Sequence, residues 1–345
     1  MTVQFRYLSQ EEVIKVGGMD MSLTMDAVEE VFALLGRGEC ILPSKVVLRW
    51  GEKGSELTTR GHMNAMPGYV GGPIDMAGQK WGGGFYRNPI DHRLPSITCL
   101  VILNDPYKGI PVAVMDGTLI SAMRTGAQAG VAVKYLGRQD ARTVGVIGAG
   151  AQSRALLMSF KIARPGLSRT LVYDINEDRS RQYCEEMKTR LEMSFEVLPS
   201  AEGVITQADI LTSATTTIAP FVKPGWVRPG CLYCQMGGFE AEPAAILEFD
   251  KIVVDNWDEI QHRGLQALPM AKVQGKITDA NITAHLGEII LGRKPGRQSP
   301  AERIYFSAVG MGLLDIGVAT RLLHKAEEQN VGTMLNLWEN AAAFI

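Results

Sequence analysis

The chain has no long block of lysine and arginine, no apolar run of the roughly 18 to 20 residues that a bilayer span needs, and no His/Cys/carboxylate grouping at metal-ligand spacing. With a formal net charge of -2 it carries no electrostatic footprint for nucleic acid or an anionic membrane, which points to a small partner. Nothing near Met1 joins a basic start to an apolar stretch, so a cytoplasmic setting is expected. Cysteine is scarce. Cys40, Cys99, Cys184, Cys231 and Cys234 form an odd, scattered set, unlike a secreted disulfide framework, and reduced thiols are expected. Cys231 and Cys234 make a C-x-x-C, but it sits in an apolar strand-like run without a second Cys or His pair, so no metal is expected. Internal repeats and low-complexity tracts are also missing.

What is present fits a folded, two-domain protein. The 345 residues exceed the size at which one core keeps growing, and 46% hydrophobic with 21% charged residues is ordinary for a globular protein. Ser9 followed by Glu12 reads as a capping box. Met25, Val28, Val31, Phe32 and Leu35 share one face of a helix over 24–35, with Gly36 and Gly38 as terminators. From 45 to about 115 the pattern is β-like and antiparallel, with strands at 46–48 and 97–103 and a hairpin return at 112–114. A helix is expected over 118–136. Strands at 143–147, 170–174, 195–198, 210–213, 231–235 and 251–255 then alternate with helices, the signature of a parallel sheet, and a strand at 304–307 precedes a helix over 312–328.

The strongest local signal is Val144-Gly145-Val146-Ile147-Gly148-Ala149-Gly150-Ala151-Gln152-Ser153, an apolar strand that ends in G-x-G and opens into a helix. Gly148 permits a tight turn, Gly150 lets the backbone approach a pyrophosphate, and the helix N-terminus, with Ala151, Gln152 and Ser153, offers N–H groups to the anion. Ser153 stands where a third glycine is usual. The next strand ends in Asp174, whose carboxylate can accept the ribose hydroxyls of NAD and would repel the extra phosphate of NADP, so NAD is favoured. Ser213, Ala214 and Thr215 end a later strand at the edge where ligands bind in such sheets.

These residues resemble the ornithine cyclodeaminase and mu-crystallin family. Beyond the glycine motif, the likeness includes Met123-Arg124-Thr125-Gly126-Ala127, Pro295-Gly296-Arg297 with Ser299, and Phe306-Ser307-Ala308-Val309-Gly310 leading to Asp315. It covers nearly the whole chain. The resemblance implies an α/β fold: a Rossmann dinucleotide-binding domain (122–310) plus a discontinuous α+β substrate and dimerisation domain (1–121, completed by a returning C-terminal helix in 311–345), associating as a homodimer. It implies a substrate-carboxylate clamp at Lys45, Lys80 and Arg124, with Lys45 and Lys80 as candidate catalytic proton carriers.

Two positions depart from the cyclodeaminase pattern. Where those enzymes place an aspartate after a Gly pair, Gly237-Gly238 is followed here by Phe239 and Glu240, and a glutamate expected three residues before Pro67 is Asn64. Glu240 or Glu242 could substitute in a shifted loop. The preferred reading is an NAD-dependent oxidoreductase acting at the α-carbon of a small amino or imino acid, as an amino-acid dehydrogenase or imine reductase. The alternatives are an ornithine- or lysine-type cyclodeaminase and a nicotinamide-dependent binding protein. His62 and Asn64 face the substrate on this reading, although His62 also reads as a structural histidine. Asp315 reads either as a helix N-terminal acid or as a cofactor-side residue. Trp81, Phe85 and Tyr86 either wall a pocket or belong to the core.

Overall fold

The computed structural model describes residues 2–50, 61–262, 264 and 266–342; part of the expected β-like stretch, 51–60, lies outside them. The chain divides into two compact units, Met1–Arg124 with Met311–Ile345, and Thr125–Gly310. The division falls within the helix Thr118–Leu136, after Arg124 rather than after residue 121. Arg124 therefore groups with the residues that precede it. Among the described residues no helix is long and apolar enough to cross a membrane, and no group of His, Cys, Asp and Glu is placed to hold a metal.

The first unit is built on an eight-stranded sheet in the order β16-β1-β7-β6-β5-β4-β2, with β3 also pairing with β4. Its strands are β1 (Val3–Leu8), β2 (Cys40–Ile41), β3 (Val46–Leu48), β4 (His62–Val70), β5 (Met76–Gly84), β6 (Ile97–Asn104), β7 (Pro111–Asp116) and β16 (Thr333–Trp338). Among the described strands of this sheet only β1 and β7 pair in parallel. The β1–β16 pair was not foreseen from sequence. Two helices cover one face. Met21–Arg37 starts at Asp20, whose carboxylate accepts the Leu23 N–H, and stops at Gly38, which takes the left-handed conformation that closes a helix without steric cost. The C-terminal helix Gly312–Glu328 lies against β4, β5 and that first helix, with Leu313 and Ile316 over the bare backbone of Gly68 and Gly78. It thus belongs to the same unit as the N-terminal strands.

The second unit is an all-parallel eight-stranded sheet, β10-β9-β8-β11-β12-β15-β13-β14. Its strands are β8 (Thr143–Ile147), β9 (Arg169–Tyr173), β10 (Ser194–Val197), β11 (Ile210–Ser213), β12 (Leu232–Gln235), β13 (Lys251–Val254), β14 (Ile282–His285) and β15 (Ile304–Ser307). Of these only β14 went unrecognised in the sequence. Tyr233, Phe249 and Tyr305 pack ring against ring in its core. Cys231 is fully buried, which pushes its thiol up to about 12. The chain runs β8 to β9 to β10 in one direction and returns to β11 on the other side of β8. That reversal opens a crevice at the C-terminal ends of β8 and β11, the place where open α/β sheets bind ligands.

Two sequence signatures turn out to hold the fold. Arg297 donates through Nε to the Leu136 carbonyl at 2.7 Å, and Arg164 donates to the carbonyls of Lys134 and Gly137, both at 2.9 Å. These guanidiniums satisfy the open carbonyls at the end of the Thr118–Leu136 helix. Gly126 lets that helix press against Ala155, and its carbonyl accepts the Ser159 hydroxyl at 2.7 Å.

Candidate functional site

In the second unit the glycine turn sits at the crevice. Gly148 has φ 91°, and a Cβ there would come within 2.9 Å of the Ala214 carbonyl oxygen and 3.0 Å of Thr215 Cγ2. Only glycine fits both the backbone angle and the approach of the β11 loop. Gly150, the N-cap of helix Ala151–Ala163, has open space where its side chain would be and no side-chain cap. That is the cradle a pyrophosphate needs beside a helix N-terminus. Ser153 is fully buried and its hydroxyl donates to the Gly148 carbonyl, so it closes the turn from the third-glycine position. Asp174 follows β9 and accepts the Ala149 N–H at 2.8 Å and the Asn176 N–H at 2.9 Å, which fixes its carboxylate beside the turn. Ala151, Gln152, Ser213 and Thr215 lie in the same crevice-edge segments. The residues present therefore fit a dinucleotide.

Glu240 is also at this edge but is fully buried. It accepts from the Thr215 N–H and hydroxyl, both at 2.7 Å, from the Ser213 hydroxyl at 2.6 Å and from the Gly237 N–H at 3.1 Å. Burial raises its pKa, and these four donors oppose the rise. Its carboxylate thus holds the Ser213–Thr215 loop in place and has no reach left for a substrate amine. Glu242 stands instead at the N-cap position of the short helix Pro243–Ile246, where its side chain makes no capping bond. Sequence reasoning missed Asp255 altogether. It is fully buried and accepts N–H groups from Asn256, Val309 and Gly310 and the Gln128 amide at 2.7 Å.

In the first unit three expected residues come together. Lys80 on β5 and Arg124 each lie 3.1 Å from Asp315 Oδ2, and Lys80 Nζ also donates to Ser121 Oγ at 3.1 Å. The Arg124–Asp315 contact has ion-pair distance without hydrogen-bond alignment. All three side chains are almost wholly out of water: Lys80 and Arg124 are each 7% exposed and Asp315 0%. Burial, and then the neighbouring Arg124 charge, pull the Lys80 pKa down, while Asp315 works in the other direction. Asp315, expected near the cofactor, is in this unit the counter-ion of the two cations.

The other first-unit candidates share the same sheet face. Met66 pairs with Lys80, Asn64 with Gly82 and His62 with Gly84. Lys45 directly precedes β3, so the register carries it opposite Met66; its Nζ is buried and meets no hydrogen-bond partner among the described residues. His62 is half-buried, and burial followed by the Arg49 charge lowers its pKa. Its ring lies 6.5 Å from that of Tyr86. Phe85 packs against Trp50, whereas Trp81 points to the opposite face, neither core nor site.

With this geometry in view, residues 7–330 match the model of the ornithine cyclodeaminase/mu-crystallin family. The N-((2S)-2-amino-2-carboxyethyl)-L-glutamate dehydrogenase of Staphylococcus aureus is 27% identical, over 98% of this chain and 100% of that protein. Among solved structures, a Thermococcus litoralis Delta(1)-pyrroline-2-carboxylate reductase, in complex with NADH and L-proline, is 32% identical with a TM-score of 0.88, covering 95% of this chain and 99% of that one. An archaeal alanine dehydrogenase dimer with bound NAD is 33% identical with a TM-score of 0.88, covering 97% and 100%. The chain belongs to the ornithine cyclodeaminase/mu-crystallin family.

Proposed function

We propose that the protein is an NAD-dependent oxidoreductase acting at the α-carbon of a small amino or imino acid, as an amino-acid dehydrogenase or imine reductase. The observation that carries this reading is the buried Lys80–Arg124–Asp315 cluster. Two cations share one carboxylate, which leaves one positive charge for the α-carboxylate of a substrate, and the Arg124 fork suits that group. The Gly148–Ser153 turn, Asp174 and the Ser213–Thr215 loop hold NAD, which when bound supplies or accepts the hydride. Lys80, with its lowered pKa, gives up or takes a proton more readily than an ordinary lysine, and Lys45 is the second candidate for that work. His62 and Asn64 border the same place. The named relatives, two dehydrogenases and a reductase of a cyclic imino acid, support the reaction class.

The protein acts as a homodimer joined through the other face of the first-unit sheet. Tyr7, Val46, Leu48, Trp81, Leu100 and Leu335 share that face by register and are each at least 36% exposed. An apolar patch of this kind marks an interface, and the similar alanine dehydrogenase is described as a dimer. The five free thiols support a reducing, cytoplasmic setting.

The test follows nicotinamide absorbance with NAD and L-amino acids at alkaline pH, and with NADH and 2-oxo acids plus ammonia or amines. Net oxidation or reduction is expected. Ammonia released from ornithine or lysine with no net change would make the protein a cyclodeaminase; ligand binding without turnover would make it a binding protein.

A further inference from the structure

The cation-bearing face of the first-unit sheet continues beyond Lys80. The C-terminal helix covers the sheet on one side of Lys80, at Gly68 and Gly78. On the other side, every β5 position of that face is a glycine: Gly82 and then Gly84. The strip above them is bordered by Cys99, Asn64, His62 and Tyr86, since a Cβ on Gly82 would strike the Cys99 sulfur and one on Gly84 would lie 3.3 Å from His62 Cε1 and 3.4 Å from the Tyr86 hydroxyl. At its far end Arg49, one residue past β3, continues the register to His62 and is close enough to perturb it.

Among the described residues the charges along this face do not balance. Lys45, Arg49, Lys80 and Arg124 are four cations, and the carboxylate that the described residues set against Lys80 and Arg124 is that of Asp315. A single α-carboxylate leaves cationic charge over, at the end of the strip away from Arg124. From Lys80 to Gly84 the strand advances about 13 Å at its usual rise per residue, and Arg49 lies two strands across, roughly 10 Å to the side, so the two backbones stand about 16 Å apart; the long side chains at either end bring that separation within reach of a short dicarboxylate.

We infer that the strip between Lys80 and Arg49 is a side-chain subsite for a second carboxylate, so that the substrate is an acidic amino or imino acid whose distal carboxylate meets Arg49 and His62 while its α-carboxylate meets Lys80 and Arg124. This rests on the function proposed above, but binding alone can test it. Calorimetry on the NAD-loaded protein compares glutarate with valerate, which has the same number of carbons and one carboxylate fewer. Glutarate binds about tenfold tighter, the yield of one charge-assisted contact to a partly exposed guanidinium. Arg49→Gln removes that difference and leaves valerate binding unchanged, while Arg49→Lys retains part of it. Equal affinities in the wild type, or a glutarate preference that survives Arg49→Gln, overturn the subsite. A glutarate preference lost in Arg49→Gln, with no nicotinamide turnover on any amino or oxo acid, upholds the subsite and overturns the oxidoreductase reading. Turnover of monocarboxylate substrates with no glutarate preference does the opposite.

Discussion

Replacing Asp315 with asparagine keeps the volume of the side chain and removes the charge that Lys80 and Arg124 share. With Lys80 7% and Asp315 0% exposed, water cannot supply the missing counter-charge. Removing one partner of a buried ion pair costs about 3–5 kcal/mol. The loss is bounded because Lys80 can shed its proton, which burial and Arg124 already favour. A local loss of about 3 kcal/mol corresponds to roughly a hundredfold rise in the opening constant. Hydrogen exchange at the β4 and β5 amides reads that opening locally, without the stability of the second unit entering the measurement. In the variant the folded pKa of Lys80 lies below its unfolded value, so between the two the unfolded chain binds more protons and stability rises with pH. Protection lost at neutral pH should therefore be partly recovered toward alkaline pH, and adding Lys80→Met should recover part of it at any pH. A change of less than about threefold, or a deficit that grows with pH, would refute the idea that these three charges form one balanced unit.

Arg124→Ala should raise the substrate KM by about two orders of magnitude, the loss of a bidentate charge-assisted contact, and leave NAD binding intact; weakened NAD binding with an unchanged substrate KM would contradict the assignment. Asp174→Ala should relax the preference for NAD over NADP, read as the ratio of their kcat/KM values, and an unchanged ratio would exclude its role at the ribose. Glu240→Gln replaces an acceptor by a donor among groups that all donate to it; NAD should bind about tenfold more weakly by calorimetry, with the substrate KM at saturating NAD unchanged.

The cofactor half of the site was legible in the sequence because its parts are local. A strand, the Gly148–Ser153 turn and a helix follow one another without interruption, and Asp174 closes the next strand. The Lys80–Arg124–Asp315 cluster was legible only as resemblance. Its members come together only when the C-terminal helix lies on β4 and β5, so no periodicity announces that Asp315 neutralises the other two. Glu240 and Asp255 were opaque for the same reason, since most of the groups that donate to them are distant in the chain. The strip beyond Lys80 was hidden differently: the Gly82-Gly83-Gly84 run carries no strand pattern of its own, yet it is paired strand throughout. The β1–β16 pair escaped because neither strand has a turn connecting it to its partner; the two ends of the chain meet only in the folded sheet.

The central claim is that a hydride moves between NAD and the α-carbon of an acid held by Lys80 and Arg124. NADH carrying deuterium at its transferable position, incubated with the protein, ammonia and a 2-oxo acid found to be turned over, tests it most directly, with the product read by mass spectrometry and NMR. The account predicts an amino acid with one deuterium on its α-carbon for each NADH consumed. Product without label, or label that stays in the cofactor while ammonia is released from ornithine, would contradict it.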